Sequence, residues 1–238
     1  MIDAVRTGLI AALDIVTPTT CAGCGRLDHV ICADCGADLF GPARRVDQDA
    51  PLLRDGPPTW AAASYSGPVR DLVLAWKRGR RDVRPLVAEA AGALVDRWAA
   101  LDGAAELGRR VAVVPAPSGW VRRARGLLVV AQLAEAVAAT LAVARPGTVA
   151  TVADVLRRPG TGHLAGLGVG ARAASRTASA LRVRPLPVAD SWVLVDDVVT
   201  TGSTLRAAAG ALAEASGREV TVAFALAATP PRSRRRGM

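Results

Sequence analysis

"VLVDDVVTTGST", residues 193–204, decides the fold. An apolar run from Trp192 to Val195 enters two adjacent aspartates, Asp196 and Asp197, and a turn of Thr200, Thr201, Gly202, Ser203 and Thr204 follows. Then "LRAAAGALAEA" begins. A short apolar run bounded by turn residues reads as a buried strand, and the alanine- and leucine-rich stretch after it reads as a helix. In an open parallel sheet, ligands bind beyond the carboxyl ends of the strands. The stretch therefore puts two carboxylates and four hydroxyls where a ligand is met. Successive backbone N–H groups in a glycine turn, continued by a helix N-terminus, form a cradle for a phosphate dianion. Carboxylates repel that phosphate, yet they accept hydrogen bonds from sugar hydroxyls or hold a magnesium ion. Acids beside a phosphate cradle suit a ribose 5-phosphate. A strand end followed by a helix capped by Ser203 or Thr204 is the plainer alternative.

Working outward, strands are expected near 60–65, in "VAVVPAP" from Val111, in "WVLVDD" and in "EVTVAFALAA". Helices are expected in "VRDLVLAWKRG", "LVAEAAGALVDRWAAL", "LLVVAQLAEAVAATLAVA" and "TLRAAAGALAEAS". Strands alternating with helices argue for an α/β fold with a mostly parallel sheet. Residues 145–184 give no clean pattern. The first 18 residues read as an amphipathic helix, with Val5, Leu9, Leu13 and Val16 on one face.

All four cysteines, Cys21, Cys24, Cys32 and Cys35, fall in residues 19–40 as "CAGC" and "CADC". Two such pairs joined by a short loop suit tetrahedral zinc, each pair forming one knuckle. Gly23, Gly25 and Gly36 fit tight turns around the knuckles. A disulfide or redox pair and an iron–sulfur cluster are the alternatives. A closed four-thiolate site is structural, and its metal supplies folding energy to a segment too short to gain it from apolar burial. His29 reads as a surface loop residue. Only Arg26 is basic in this segment, against Asp28, Asp34 and Asp38, which is poor for a nucleic-acid reader.

The formal charge of +9 favours anionic partners, phosphates or nucleic acid. Nearly all of it is arginine; Lys77 is the only lysine. Arg122, Arg123 and Arg125 follow the loop after "VAVVPAP", and Arg78, Arg80 and Arg81 follow Lys77. Arginine binds phosphate oxygens through a rigid fork, so Arg123 and Arg125 are catalytic candidates beside Asp196 and Asp197. Trp76 reads as core. No run reaches the 18 apolar residues of a membrane helix, and the N-terminus lacks the basic start of a secretory signal. A cytoplasmic protein without membrane insertion is expected. The chain divides into a helix and four-cysteine module at 1–40, a Pro- and Gly-rich linker or irregular loop at 41–58, the main domain at 59–230 and a basic tail at 231–238.

"VLVDDVVTTGST" resembles the diphosphoribose-binding signature of type I phosphoribosyltransferases. Together with the N-terminal helix, the paired CxxC module, "YSGPVRDLVLAWKRGRRD" and "VVPAPSGWVRRARG", it resembles the ComF family over roughly residues 10–228. These are competence-associated, phosphoribosyltransferase-like proteins. The resemblance implies a type I phosphoribosyltransferase-like parallel sheet flanked by helices, with a small zinc module. It implies 5-phosphoribosyl 1-diphosphate as ligand, with magnesium. Asp196 and Asp197 would meet the ribose hydroxyls, Thr200 to Thr204 would hold the 5-phosphate, and Pro115, Ala116, Pro117 and Ser118 would face the diphosphate. The acceptor side departs from the family. Its Asn and Gln after the second arginine group are replaced by Leu128 and Val129, and the Gln of the next segment by Leu164. Loss of these amides removes hydrogen-bonding groups that a buried polar acceptor needs.

Two functions follow. One is transfer of the phosphoribosyl group to a nitrogen acceptor. The other is a non-catalytic adaptor in DNA uptake that keeps the ribose-phosphate pocket, with single-stranded DNA or a DNA-handling protein as partner. The tail, with Arg232, Arg234, Arg235 and Arg236, is the sequence feature that favours nucleic acid.

Overall fold

The structure is a computed structural model that describes residues 19–101, 103–117, 129–158 and 181–231. The expected N-terminal helix, Ser118, the arginines at 122–125, Leu128, Leu164 and the tail arginines lie outside these residues.

A six-stranded sheet forms the centre. Its strands are β1 (Arg44–Arg45), β2 (Thr59–Ser64), β3 (Arg110–Pro115), β4 (Val149–Val152), β7 (Ser191–Val199) and β8 (Val222–Ala228). They lie in the order β1-β2-β8-β7-β3-β4, and all neighbours are parallel except β1 and β2. Two short strands, β5 (Leu156–Arg157) and β6 (Arg182–Val183), form a separate antiparallel pair. These and β4 lie within residues 145–184, where no clean sequence pattern is present.

Side-chain alternation sorts the sheet into two cores. Val111, Val113, Val193, Val195, Val222 and Phe224 face one side. There they meet helices α2 (Gly67–Lys77), α3 (Arg84–Ala99) and α4 (Val129–Ala144). Ala112, Val114, Trp192, Leu194, Ala223 and Ala225 face the other side, under α5 (Ser203–Ser216). Because β7 and β8 are buried on both faces, β8 reads as an unbroken apolar run and β7 as one from Trp192 to Val195. The Trp98 and Phe224 rings meet in a T-shaped contact, 5.1 Å between centroids and 81° between planes, fixing α3 on β8. The expected α/β class, mostly parallel sheet and flanking helices are present.

The four-cysteine segment, with helix α1 (Ala33–Leu39), is packed on the first core. Leu39 is fully buried there and Ala22 nearly so. Arg97 of α3 donates to the carbonyls of Gly41 and Phe40 at 2.6 and 2.8 Å, and Arg80 donates to the Thr20 carbonyl. Residues 46–56 are irregular but held at both ends. The buried Asp47 carboxylate accepts from Arg45 Nε at 2.9 Å and from the Thr59 N–H at 3.2 Å. At the other end Leu53, with no exposed surface, sits on Gly202.

Candidate functional site

The sequence expectation ends the strand at the aspartates, but β7 runs on to Val199. Asp196 pairs with Ala225 and Val199 with Ala228, so the neighbouring strand β8 holds the acids in register and nine-tenths buried. Alternation turns Asp196 toward α5 and Asp197 toward α2. Asp197 meets Lys77 there, with Nζ 2.8 Å from Oδ1. Asp196 Oδ1 accepts the Asp197 N–H at 2.8 Å. Burial, reinforced by the Asp197 charge, pushes the Asp196 carboxyl up to about 7; the Asp197 N–H, Lys77 and Arg158 pull it back.

Beyond Val199 the chain turns through Thr200 and Thr201 into Gly202, which takes a left-handed φ of 82° and caps α5. No side chain caps this helix, so the plainer alternative of a cap by Ser203 or Thr204 is not what the structure shows. The nearest substitute is the Thr201 hydroxyl, 3.4 Å from the Ser203 N–H. First-turn N–H groups of a helix have no intrahelical acceptor and favour an anion. The turn and strand end form a shallow depression, open to solvent and lined by Asp196, Val198 to Thr200 and Gly202 to Leu205. Glycine is required at 202. A Cβ there would lie 2.3 Å from Leu53 Cγ, and the turn is further held by the Leu52 N–H on the Thr201 carbonyl at 3.0 Å.

Pro115 ends β3 opposite Val195, and the Ala116 N–H donates to the Val195 carbonyl at 2.7 Å. The Pro115–Pro117 loop thus starts beside the acids. Arg158 Nε donates to the Pro117 carbonyl at 3.1 Å. Of the basic residues after α2, Arg80 is taken up by Asp82 and Thr20. Trp76 is core, as expected, with 1% exposure, and its Nε1 reaches Gln132 Oε1 of α4 at 3.4 Å. The placement of Arg123, Arg125 and Ser118 lies outside the described residues.

The second site is the cysteine cluster. The four Sγ atoms lie within 4.8 Å of one another and form no disulfide. A ZnS4 tetrahedron with bonds of about 2.3 Å has S···S edges of about 3.8 Å, and Cys24 Sγ and Cys32 Sγ are 3.6 Å apart. Three of the thiols are buried and Cys24 is exposed. The donor set therefore fits a metal ion such as zinc. Burial disfavours the Cys21 thiolate, but N–H groups of Cys24, Cys32 and Gly23 more than offset it and bring the thiol down to about 6. Burial and then the neighbouring thiols push Cys35 up, a cost that a metal cation removes. Of the three expected turn glycines, Gly25 has a left-handed φ of 78°. Gly23 lies in the turn at 22–24 and also permits close packing, since a Cβ there would lie 2.9 Å from both Cys35 Sγ and Pro68 Cβ. Gly36 is inside α1, not in a turn. His29 is exposed, as expected of a loop residue.

Lys77 reads from the sequence only as part of a basic run, without its pairing to Asp197, and Arg158 and Leu53 are not read as site neighbours. Being the only lysine was a faint signal for Lys77. Nothing local marks Leu53 or Arg158, which reach the site only through the fold. No protein-family model matches the chain, and no curated protein matches it. Among the described residues no helix is long and apolar enough to cross a membrane.

Proposed function

We propose that the chain is a type I phosphoribosyltransferase-like protein of the ComF kind that binds 5-phosphoribosyl 1-diphosphate at the carboxyl ends of β3 and β7. One juxtaposition carries the reading. Two buried carboxylates lie immediately upstream of a left-handed glycine turn that opens a helix with no side-chain cap. In this reading the turn from Thr200 to Thr204 holds the 5-phosphate through N–H groups and hydroxyls. Asp196 and Asp197 accept hydrogen bonds from the ribose hydroxyls, and the loop from Pro115 to Ser118 faces the diphosphate.

The reaction is displacement at C1. The bond from C1 to the diphosphate oxygen breaks with its electron pair leaving on oxygen. A nitrogen acceptor supplies the pair for the new C1–N bond and sheds its proton to solvent or product. Bound magnesium would neutralise the charge growing on the departing diphosphate. The protein's share is to fix the sugar and stabilise the leaving charge, with Arg123 and Arg125 as the proposed cations. The cysteine site takes structural zinc.

The deciding experiment is calorimetric titration with 5-phosphoribosyl 1-diphosphate in magnesium buffer. Wild type should bind, and Asp196→Asn with Asp197→Asn should weaken binding at least about tenfold without unfolding the protein, since each carboxylate accepts charge-assisted hydrogen bonds from hydroxyls. Unchanged affinity in the double variant would sink the assignment. The adaptor reading rests on the sequence, on Leu128 and Val129 where the family has amides and on the arginine tail. It calls for binding of the diphosphate ester with no diphosphate release for any candidate base.

A further inference from the structure

We infer that the free edge of β4 is a pairing surface for a second copy of this chain, the two β4 strands running antiparallel about a two-fold axis at Thr151. The inference goes beyond the ribose-phosphate reading and does not depend on it.

The sheet has two edges, and they are finished differently. β1 is two residues long, and both residues are arginines. Their side chains are engaged, Arg44 with Ser64 at 2.9 Å and Arg45 with Asp47 at 2.9 Å. A short, charged edge of this kind resists strand addition. β4 reads Val149-Ala150-Thr151-Val152, with no charge, proline or glycine. Its backbone is only half used. The Val149 N–H donates to the Arg109 carbonyl at 2.7 Å and the Ala153 N–H to the Val113 carbonyl at 2.9 Å. In this parallel ladder the groups that face β3 therefore belong to Val149, Thr151 and Ala153. The N–H and C=O groups of Ala150 and Val152 point the other way, where no strand lies among the described residues. The described chain on both sides leads away from this edge. Before β4 it turns out of α4, with the Thr148 N–H on the Arg145 carbonyl. After β4 it pairs Leu156–Arg157 with Arg182–Val183, and Arg158 reaches the Pro117 carbonyl.

Charge and symmetry point to a second copy. The chain carries a formal charge of +9, so two copies repel and must meet on an uncharged strip. β4 is the edge that offers one. With the axis at Thr151, Ala150 faces Val152 of the partner copy and Val152 faces Ala150 of the partner copy. Each pair exchanges both N–H···O bonds. Thr151 meets its own equivalent in the non-hydrogen-bonded position. Val149, 62% exposed in the single copy, comes to lie beside Thr151 and Ala153 of the partner copy on one face of the joined sheet. No other axis position pairs both outward residues within the strand. A strip this short buries less than the roughly 1,000 Å² of a stable interface, so the dimer is weak, with a dissociation constant on the order of 100 μM.

The test is sedimentation equilibrium of the full metal-loaded chain at concentrations bracketing that value. Only monomer and dimer should appear, because a two-fold pairing uses up the edge. Association should tighten as salt rises from about 0.05 to about 0.5 M, since screening relieves the repulsion between like-charged copies. Thr151→Lys sets two ammonium groups opposite each other and should weaken the dimer about fivefold or more. Val152→Pro removes an outward donor from each copy and no bond to β3, and should abolish pairing. Thr151→Cys should give a disulfide-linked dimer with oxidised glutathione, because opposed residues at such a position have Cα atoms about 4.5 Å apart, within disulfide reach. Wild type under the same treatment gives the background from the exposed Cys24. Thr151 is exposed, so its two variants decide the matter even where Val152→Pro misfolds. A chain that stays monomeric throughout, a dimer indifferent to Thr151→Lys, or Thr151→Cys crosslinking no greater than the background overturns the inference.

Discussion

The cysteine cluster and the strand-end site are built in opposite ways. All four thiols come from residues 21–35, and their geometry is set by two local knuckles. The strand-end site draws on Leu53, Lys77, the Pro115–Pro117 loop, Arg158 and the β7–α5 turn. Helix α2 touches both, with Pro68 packed near Gly23 at its start and Lys77 on Asp197 at its end. The lesson concerns what holds each site. The first is a set of four close thiols that could hold a metal ion. The second is held by a sheet that exists whether or not a ligand comes.

Metal removal tests that contrast most directly and should have the largest effect. A four-thiolate zinc site in a small module carries about 10 kcal/mol or more of apparent binding free energy, which is also folding energy. Elemental analysis of protein purified without added metal should find about one equivalent of zinc per chain. Chelation should make the amides of residues 21–40 exchange rapidly. Those of β3, β7 and β8 should keep their protection, because α2 is anchored by its own buried Val69, Leu72, Val73 and Trp76. Protection lost throughout the sheet would erase the distinction between the two regions. A Cys21–Cys24 disulfide in reduced protein would remove the metal altogether.

The same contrast explains what the sequence made legible. Ligand spacing within one short segment is written in the chain, so the cysteine site could be read directly. The signature could be read because its strand, acids and turn are contiguous, and because apolar runs in β7 and β8 mark strands buried on both faces. The Lys77–Asp197 ion pair spans 120 positions and depends on strand order, which no local pattern contains. Residues 46–56 show the same limit. Their proline, glycine and charge announce an irregular segment, but nothing announces that Leu53 will lie on Gly202. The end of β7 was misplaced for a related reason. Buried charge argues against continuing a strand, yet pairing with β8 carries the strand past both acids.

A smaller effect should follow from pH, at the strand-end site alone. The Asp196 carboxyl stands at about 7, above the ordinary carboxylate value of about 4 that it regains on unfolding. Below pH 4 both states hold the proton. Between about 4 and 7 the unfolded chain gives it up while the folded chain keeps it, so stability falls as pH rises, by up to about 4 kcal/mol. Asp196→Asn should cancel this part of the slope, leaving the variant more stable than wild type at pH 8 and close to it at pH 4. Ligand binding should run the other way and strengthen through pH 7, because a carboxylate accepts sugar hydroxyls better than a carboxylic acid does. Urea midpoints of metal-loaded wild type and variant across this range provide the check. Parallel slopes for the two proteins would show that Asp196 is not the titrating group.

The smallest effect expected lies in the packing beneath the phosphate turn. Gly202→Ala places a methyl group on a residue with φ of 82°, and that methyl lies 2.3 Å from Leu53 Cγ and 2.7 Å from Cδ1. The backbone strain costs about 1 kcal/mol and the overpacking about 1–2 more, so a loss of about 2–3 kcal/mol is expected. Leu53→Ala alone leaves a cavity under the turn and destabilises by a similar or larger amount. The two substitutions should not add. With Leu53 shortened, the new methyl has room, so Gly202→Ala in the Leu53→Ala background should cost only the backbone strain. A coupling of about 1–2 kcal/mol in the double-mutant cycle is the expected reading from urea unfolding. Full additivity would mean that residues 46–56 merely cover the turn without supporting it. The strand-end site would then be as local as the cysteine cluster, and the comparison would fail at its second half.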